Sequence, residues 1–481
     1  MQEYLKLDRI LISLAGVFGA ALMWLLSFKI VATWLGPEGV GLFSQFRQIV
    51  QAATIGATFG GTNAVVQGLA EKSDDIQRRH FRGIASRMIG LTGLLLALSI
   101  FIFAEPLTRF SLSSIDSDAV SAVRWLSLVV LLSVAGAYSI AVLNGYRSFH
   151  FLSVSQLAGP LALVIMLGAF YFFEVSYRPQ ILVWSFGLCF GVTFLCGAWG
   201  MSRFPKSSLE LVAGILYLSE ARSFLKFALS TMVAALSATV AMLLIRSWII
   251  GERGLAFSGL FDVGWTLTFN YVTLFLTACN TIYLPLLTAA GSDEERRLCV
   301  LKTAYLVLLG CVLVCYFLAV FKMPVIHLLY SQKFELAGNV LVILSIAVIF
   351  RGVSWVYGTM ILATRDARVL LVSDLGLNAV LLVMIWVSLQ KYASLESLGW
   401  AFVLSNLIYL VFVVEYARYK NRLMLRREIW PLIIIAVLPL FLMEMKYQDS
   451  HLVHGVVPML FLIAGLLMSL VTWNAYKKVA A

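Results

Sequence analysis

The sequence predicts an all-α polytopic membrane protein of about fourteen transmembrane helices. They are arranged as two six-helix bundles, built from a parallel 218-residue repeat, followed by two more helices. Three observations predict this. Hydrophobic types make up 61% of the 481 residues and charged types only 13%, about half the usual share of a globular protein. The apolar residues come in runs of roughly 20, the length that a bilayer core of about 30 Å demands of a helix. Uncommon residues also recur in register 218 positions apart.

The runs place spans at 10–33, 40–68, 84–104, 120–143, 152–173, 181–200, 224–250, 258–288, 300–321, 337–362, 369–390, 397–418, 430–445 and 455–473. The first run lacks a small-residue cleavage site, so it is expected to be a retained helix. No alternating ten-residue strands occur, which excludes an outer-membrane barrel. Orientation follows from the basic residues, which concentrate in cytoplasmic loops. With the N-terminus in the cytoplasm, the inner loops hold 24 Lys and Arg against seven in the outer loops, with five inside spans. Both termini are therefore expected in the cytoplasm. The net charge of +11 is read as loops facing anionic lipid. Nucleic acid is not an expected partner, because no basic domain lies outside the apolar runs.

The repeat rests on rare residues. Gly36 falls on Gly254, and Gly41-Leu42-Phe43 on Gly259-Leu260-Phe261. Asp75 meets Asp293, Arg78-Arg79 meets Arg296-Arg297, Pro106 meets Pro324 and Arg147 meets Arg365. Each half holds six spans, so both enter the membrane in the same direction. Transporters with such a plan bind substrate between the halves. The expected organisation is an N-terminal bundle over 1–200, a cytoplasmic linker over 201–223, a C-terminal bundle over 224–418, and two further helices with a cytoplasmic tail over 419–481.

Charges at helix depth are costly and tend to face a cavity or a partner. Five are basic, namely Lys29, Arg47, Arg124, Arg246 and Arg351, and two acidic, Asp262 and Asp374. This excess of cations points to anionic cargo. Arg124 sits where its side chain reaches the headgroups by snorkelling. Asp374 is expected near water at the end of its span. Arg47 and Arg351 lie deeper, so Arg47, Arg351, Lys29 and Arg246 are the candidate cationic site. The amides Gln45, Gln48, Gln51, Asn63, Asn270 and Asn280 suit a hydroxyl-rich cargo, and Asp262 is a candidate for ion coupling. Hydroxyls near them, such as Thr268, Thr273 and Thr277, also satisfy backbone carbonyls. The six cysteines fall in apolar runs and read as core residues. None of the five histidines has a partner at metal or triad spacing. The outer loops, about 15 residues at most, are too short for a periplasmic catalytic domain. A transporter is expected, not a membrane polymerase or ligase.

The stretch Leu35-Gly36-Pro37-Glu38-Gly39-Val40-Gly41-Leu42-Phe43-Ser44-Gln45-Phe46-Arg47-Gln48 resembles the first loop and second helix of the Wzx polysaccharide flippases. Tyr283-Leu284-Pro285-Leu286-Leu287 resembles the end of their eighth helix. The similarity is closest to the branch that exports lipid III and related O-antigen units, and extends loosely over residues 1–420. That branch is usually drawn with twelve helices, two fewer than here. The resemblance implies a MATE-like fold of the multidrug/oligosaccharidyl-lipid/polysaccharide exporter superfamily in the bacterial inner membrane. It implies undecaprenyl-pyrophosphate-linked oligosaccharide as cargo, carried to the periplasmic leaflet by alternating access, with membrane lipids around it and polysaccharide polymerase and chain-length machinery as further partners. Lys29 and Arg47 match basic positions of the family; Arg246 and Arg351 are placed by topology. No cofactor is expected, and a H+ or Na+ gradient stays open as driving force. A lipid II flippase shares topology and cavity sign; a drug/cation antiporter of the superfamily would carry more acid in its cavity.

Overall fold

A computed structural model describes residues 7–60, 63–71, 74–204, 214–363, 367–392, 394–421 and 429–447. These residues form helices, and no strand occurs among them. The first helices are α1 (Leu7–Ala57), α2 (Asn63–Glu71), α3 (Asp75–Ile102), α4 (Ala104–Leu112), α5 (Ser117–Gly145), α6 (Phe149–Phe172) and α7 (Pro179–Met201). They are followed by α8 (Gly214–Trp265), a π-helical turn (Thr266–Asn270), α9 (Tyr271–Ala289), α10 (Asp293–Val320) and α11 (Lys322–Leu329). After a 3-10 turn (Gln332–Phe334) come α12 (Ala337–Ala363), α13 (Ala367–Lys391), α14 (Leu395–Asn421) and α15 (Ile429–Tyr447).

Ten of these helical stretches are long and apolar enough to cross a membrane. Two of them, Ala15–Ala57 and Ala235–Ala289, each run through two predicted spans, so the ten accommodate the first twelve. The shorter apolar stretch Trp430–Glu444 carries the thirteenth. The span at 455–473, Arg365 and residues 205–213 of the expected linker lie outside the described residues. Within the rest of that linker, α8 is helical from Gly214.

The repeat reappears in local geometry. Gly36 (φ 67, ψ −159) and Gly254 (φ 85, ψ 173) are the two non-helical points inside α1 and α8. An L side chain is strained at such angles, so glycine is needed to turn one helix into the next. Pro37 then opens the second segment of α1 without forfeiting a helical hydrogen bond. Asp74 caps α3 by accepting from the Ile76 amide at 3.1 Å. Ser292 caps α10 by accepting from the Glu295 amide at 3.2 Å, and the Glu295 carboxylate accepts from the Gly291 amide at 2.9 Å. Both helices then carry the same i,i+3 pair, Arg78–Asp75 at 3.8 Å and Arg296–Asp293 at 3.2 Å. Pro106 and Pro324 each sit in the first turn of a short helix, α4 and α11, where the missing amide is harmless.

One predicted span is corrected. The second, read as continuous over 40–68, stops at Ala57. Phe59 and Gly60 take positive φ, 53 and 92, and helix resumes at Asn63. The span at 258–288 keeps its helical course, through a π-turn at Thr266–Asn270.

The chain divides into two compact units, Met1–Ala256 and Phe257–Ala481. The boundary falls inside α8, just past Gly254. In the first unit, α5 packs on α3 and α7, and α6 on α1 and α7. In the second, α12 is central, touching α9, α10, α13, α14 and α15. It is enclosed along nearly its whole length, which fits its scarcity of charge: Arg351 is its one charged side chain.

Candidate functional site

In the first unit a cavity of about 470 Å³ opens between α1, α5, α6 and α7, lined by Trp24, Arg47, Gln51, Thr54, Ser133, Gln156 and Thr193 among others. This volume is in the range of small-molecule sites, roughly 300–1,000 Å³. Arg47 is its only charged lining residue. Its guanidinium lies 4.5 Å from the Trp24 ring centroid and 5.6 Å from that of Phe28. The ring faces hold the cation in place. Thr54 and Ser133 hydroxyls bond each other at 2.8 Å. Gln156 Oε1 is buried with no hydrogen-bond partner.

One helical turn away, the predicted amides meet α8 instead. Arg246 donates to Gln48 Oε1 at 2.6 Å, and Gln48 Nε2 donates to the Thr239 carbonyl at 2.8 Å. Gln45 Nε2 donates to Ser247 Oγ at 2.9 Å and to the Ser111 carbonyl at 3.1 Å. All four side chains named on α1 and α8 are buried: Gln45, Gln48, Arg246 and Ser247. Gln45, Gln48 and Arg246 thus act together as a polar clamp between α1 and α8. Gln51 is exposed and lines the cavity. Lys29 is half-buried on α1, and Asn63 is exposed on α2, beyond the break.

In the second unit Arg351 sits mid-way along α12, its guanidinium 5.5 Å from the Tyr409 ring centroid. Tyr409 Oη donates to Asp374 Oδ1 at 3.1 Å, and Arg351 is near enough for its charge to act on that carboxylate. One terminal nitrogen, Arg351 Nη1, is buried without a hydrogen-bond partner. Asp374, expected near water, is half-buried, because α14 supplies the Tyr409 hydroxyl. Asp262 is buried at 1% exposure. Asn270 closes the π-turn and is half-buried. Asn280 is half-buried, with a buried Oδ1 that has no partner. Thr268, Thr273 and Thr277 bond carbonyls four residues back, at 2.7, 2.7 and 2.8 Å, so these hydroxyls serve their own helix. The side chains of Ser230, Thr231 and Thr281 lie outside those described. Arg124 is exposed on α5.

Sequence reasoning passed over Trp24, Thr54, Ser133, Gln156 and Tyr409. Gln156 carried a usable signal, as the lone side-chain amide of its span. Tyr409 carried none, since a tyrosine in an apolar run reads as core.

No protein-family model matches the chain. It is 24% identical over 371 residues to the lipid III flippase of Escherichia coli (strain K12), covering 75% of this chain and 85% of that protein. The lipid III flippase of Shigella flexneri gives the same figures. Among solved structures, the lipid II flippase MurJ in an inward closed conformation superposes with a TM-score of 0.68 at 14% identity, over 98% of this chain and 100% of that one. An inward-facing MATE-family multidrug resistance transporter of the MOP superfamily also gives 0.68, at 16% identity, over 85% and 98%. A MOP superfamily transporter from Pyrococcus furiosus, described as having a binding pocket of reversed polarity, gives 0.60 at 16% identity, over 86% and 94%. The chain is therefore a multi-pass membrane protein with the fold of the MOP superfamily.

Proposed function

We propose that this chain is a flippase. Its cargo is an undecaprenyl-pyrophosphate-linked oligosaccharide, an O-antigen or related surface-polysaccharide unit, moved from the cytoplasmic to the periplasmic leaflet of the bacterial inner membrane by alternating access. The observation that carries this reading is Arg47: the one charge lining the 470 Å³ cavity is a cation. An anionic headgroup is what such a cavity attracts, and a guanidinium presents forked donors suited to phosphate oxygens. Arg351, with a buried terminal nitrogen free of hydrogen bonds, is the matching donor in the second unit. The two lipid III flippases, alike over 75% of this chain, support a lipid-linked glycan as cargo. A drug/cation antiporter would need a carboxylate where Arg47 stands.

Both termini are cytoplasmic in this reading, as the distribution of basic residues requires. No cofactor takes part in this reading. Polysaccharide polymerase and chain-length machinery receive the delivered unit.

A second reading, a lipid II flippase, is favoured by one observation: the superposition on MurJ runs over 98% of the chain, whereas that on the MATE transporter leaves about a seventh of it unmatched. Complementation separates the two. Expressed in a strain lacking its polysaccharide flippase, the chain should restore surface glycan. Expressed in a strain depleted of its lipid II flippase, it should not restore growth. The reverse pattern would replace the first reading by the second.

A further inference from the structure

The repeat suggests what the cavity of the first unit binds. Positions 218 apart make Ser133 the counterpart of Arg351, Gln156 of Asp374 and Gly191 of Tyr409. In the second unit these three positions lie together. The Tyr409 hydroxyl donates to Asp374, and the Arg351 guanidinium lies against the Tyr409 ring. In the first unit, a serine and a glycine replace the arginine and the tyrosine. The serine lines the cavity, and with no tyrosine at 191 the acceptor is left without a donor: Gln156 Oε1 is buried with no partner beside the cavity. A buried acceptor without a donor is unfavourable, so a bound group that supplies a donor there gains affinity. Arg47 supplies a fixed positive charge in the same cavity. Trp24 holds its guanidinium from one side.

We propose that this cavity is a subsite for an anionic sugar, in which a ring hydroxyl or amide N–H donates to Gln156 Oε1 while the negative group lies at Arg47. Gln156 is thus a specificity-determining residue, and the ligand hydroxyl takes the place that the Tyr409 hydroxyl holds in the second unit. The inference rests on the flippase reading and deepens it. The chemistry has two sources, a sugar phosphate at the lipid-linked end of the cargo or an acidic sugar within the glycan.

The test is binding to the purified full chain in lipid nanodiscs, by calorimetry. The probes are N-acetylglucosamine 1-phosphate, glucuronate and inorganic pyrophosphate. Gln156→Leu should weaken binding of the preferred sugar probe about fivefold to tenfold, the usual range for one lost hydrogen bond, and leave pyrophosphate unchanged. Arg47→Gln should weaken all probes. Tighter binding of the sugar phosphate than of glucuronate assigns the site to the lipid-linked end, and the opposite order assigns it to an acidic sugar. Unchanged sugar binding in Gln156→Leu, or an equal loss for pyrophosphate, overturns the subsite. Should that variant fail to fold, the wild type decides with sugar probes lacking one donor group each. One deletion must weaken binding about fivefold or more, and a series with no such position overturns the proposal. Glycan translocation by a chain whose Gln156→Leu variant binds sugar normally would refute the subsite alone. Sugar binding as predicted without translocation would refute the flippase reading alone.

Discussion

At the residue scale, the same side-chain chemistry is put to two uses a few positions apart. Gln48 accepts from Arg246 and donates to the Thr239 carbonyl; Gln51 faces the cavity. From sequence both are glutamines on one polar line, because an amide suits a sugar and a helix partner equally well. Only the packing of α8 against α1 separates them. Gln48→Leu should therefore destabilise the protein by about 1.5–3 kcal/mol, the usual worth of a hydrogen bond to a charged group. The fall should appear as a lower thermal midpoint in detergent. Gln51→Leu should leave the midpoint unchanged. Arg47→Ala should abolish glycan export at near-normal abundance in the membrane. Arg47→Lys should restore it in part, since lysine keeps the charge and loses the fork. Arg124, exposed on α5, should tolerate alanine with full export. The depth of Arg47 and Arg351 was legible in the sequence. The Asp374–Tyr409 contact was not, because a carboxylate near a span end looks solvated until a neighbouring helix is placed beside it.

At the element scale, hydropathy located the spans, and the 218-residue register located the two glycines on which α1 and α8 turn. The break after Ala57 was not legible, since Phe59 holds a positive φ that no propensity rule assigns to a phenylalanine; bonds from the Phe59 amide to the Gly56 carbonyl at 3.2 Å and from the Gly60 amide to the Ile55 carbonyl at 2.9 Å close the helix end there. Gly254 offers a clean test of the glycine argument. A Cβ there would meet nothing within 4 Å, so any loss in Gly254→Ala is conformational. The expected destabilisation is about 1–3 kcal/mol, read from thermal unfolding. An unchanged midpoint would show that the turn is not strained for an L residue. The docking of α15 is a second case. Its Glu444 is buried, as is Lys322 at the start of α11. Burial pushes the Lys322 ammonium below the ordinary lysine range, and the charge of Glu444 opposes that shift. Tyr316 also donates to the Ala436 carbonyl of α15 at 3.0 Å. A buried charge left without an opposing one is unfavourable, so Glu444→Leu should reduce the amount of folded protein in the membrane. Replacing Lys322 and Glu444 together by Met and Leu should recover much of it.

At the scale of the whole molecule, composition and the period of the apolar runs sufficed for a multi-pass helical protein, and rare residues in register sufficed for its duplication. Neither names the cargo, which depends on a few side chains that only the packed helices bring together: Arg47 with Trp24, and Gln156 beside them. A reporter that works only in the periplasm should be inactive when fused after Ala481, because the distribution of basic residues puts both termini in the cytoplasm. The central claim is that the chain carries a lipid-linked glycan from one leaflet to the other through the cationic cavity. The most direct measurement uses proteoliposomes of purified chain containing a lipid-linked oligosaccharide in both leaflets. A membrane-impermeant glycosidase is added outside, and the cleaved fraction is followed with time. With the wild-type chain, cleavage should pass beyond the fraction initially exposed and approach completion. With Arg47→Ala it should stop at that fraction, as in protein-free vesicles. Cleavage by the wild-type chain that stops there as well would contradict the account.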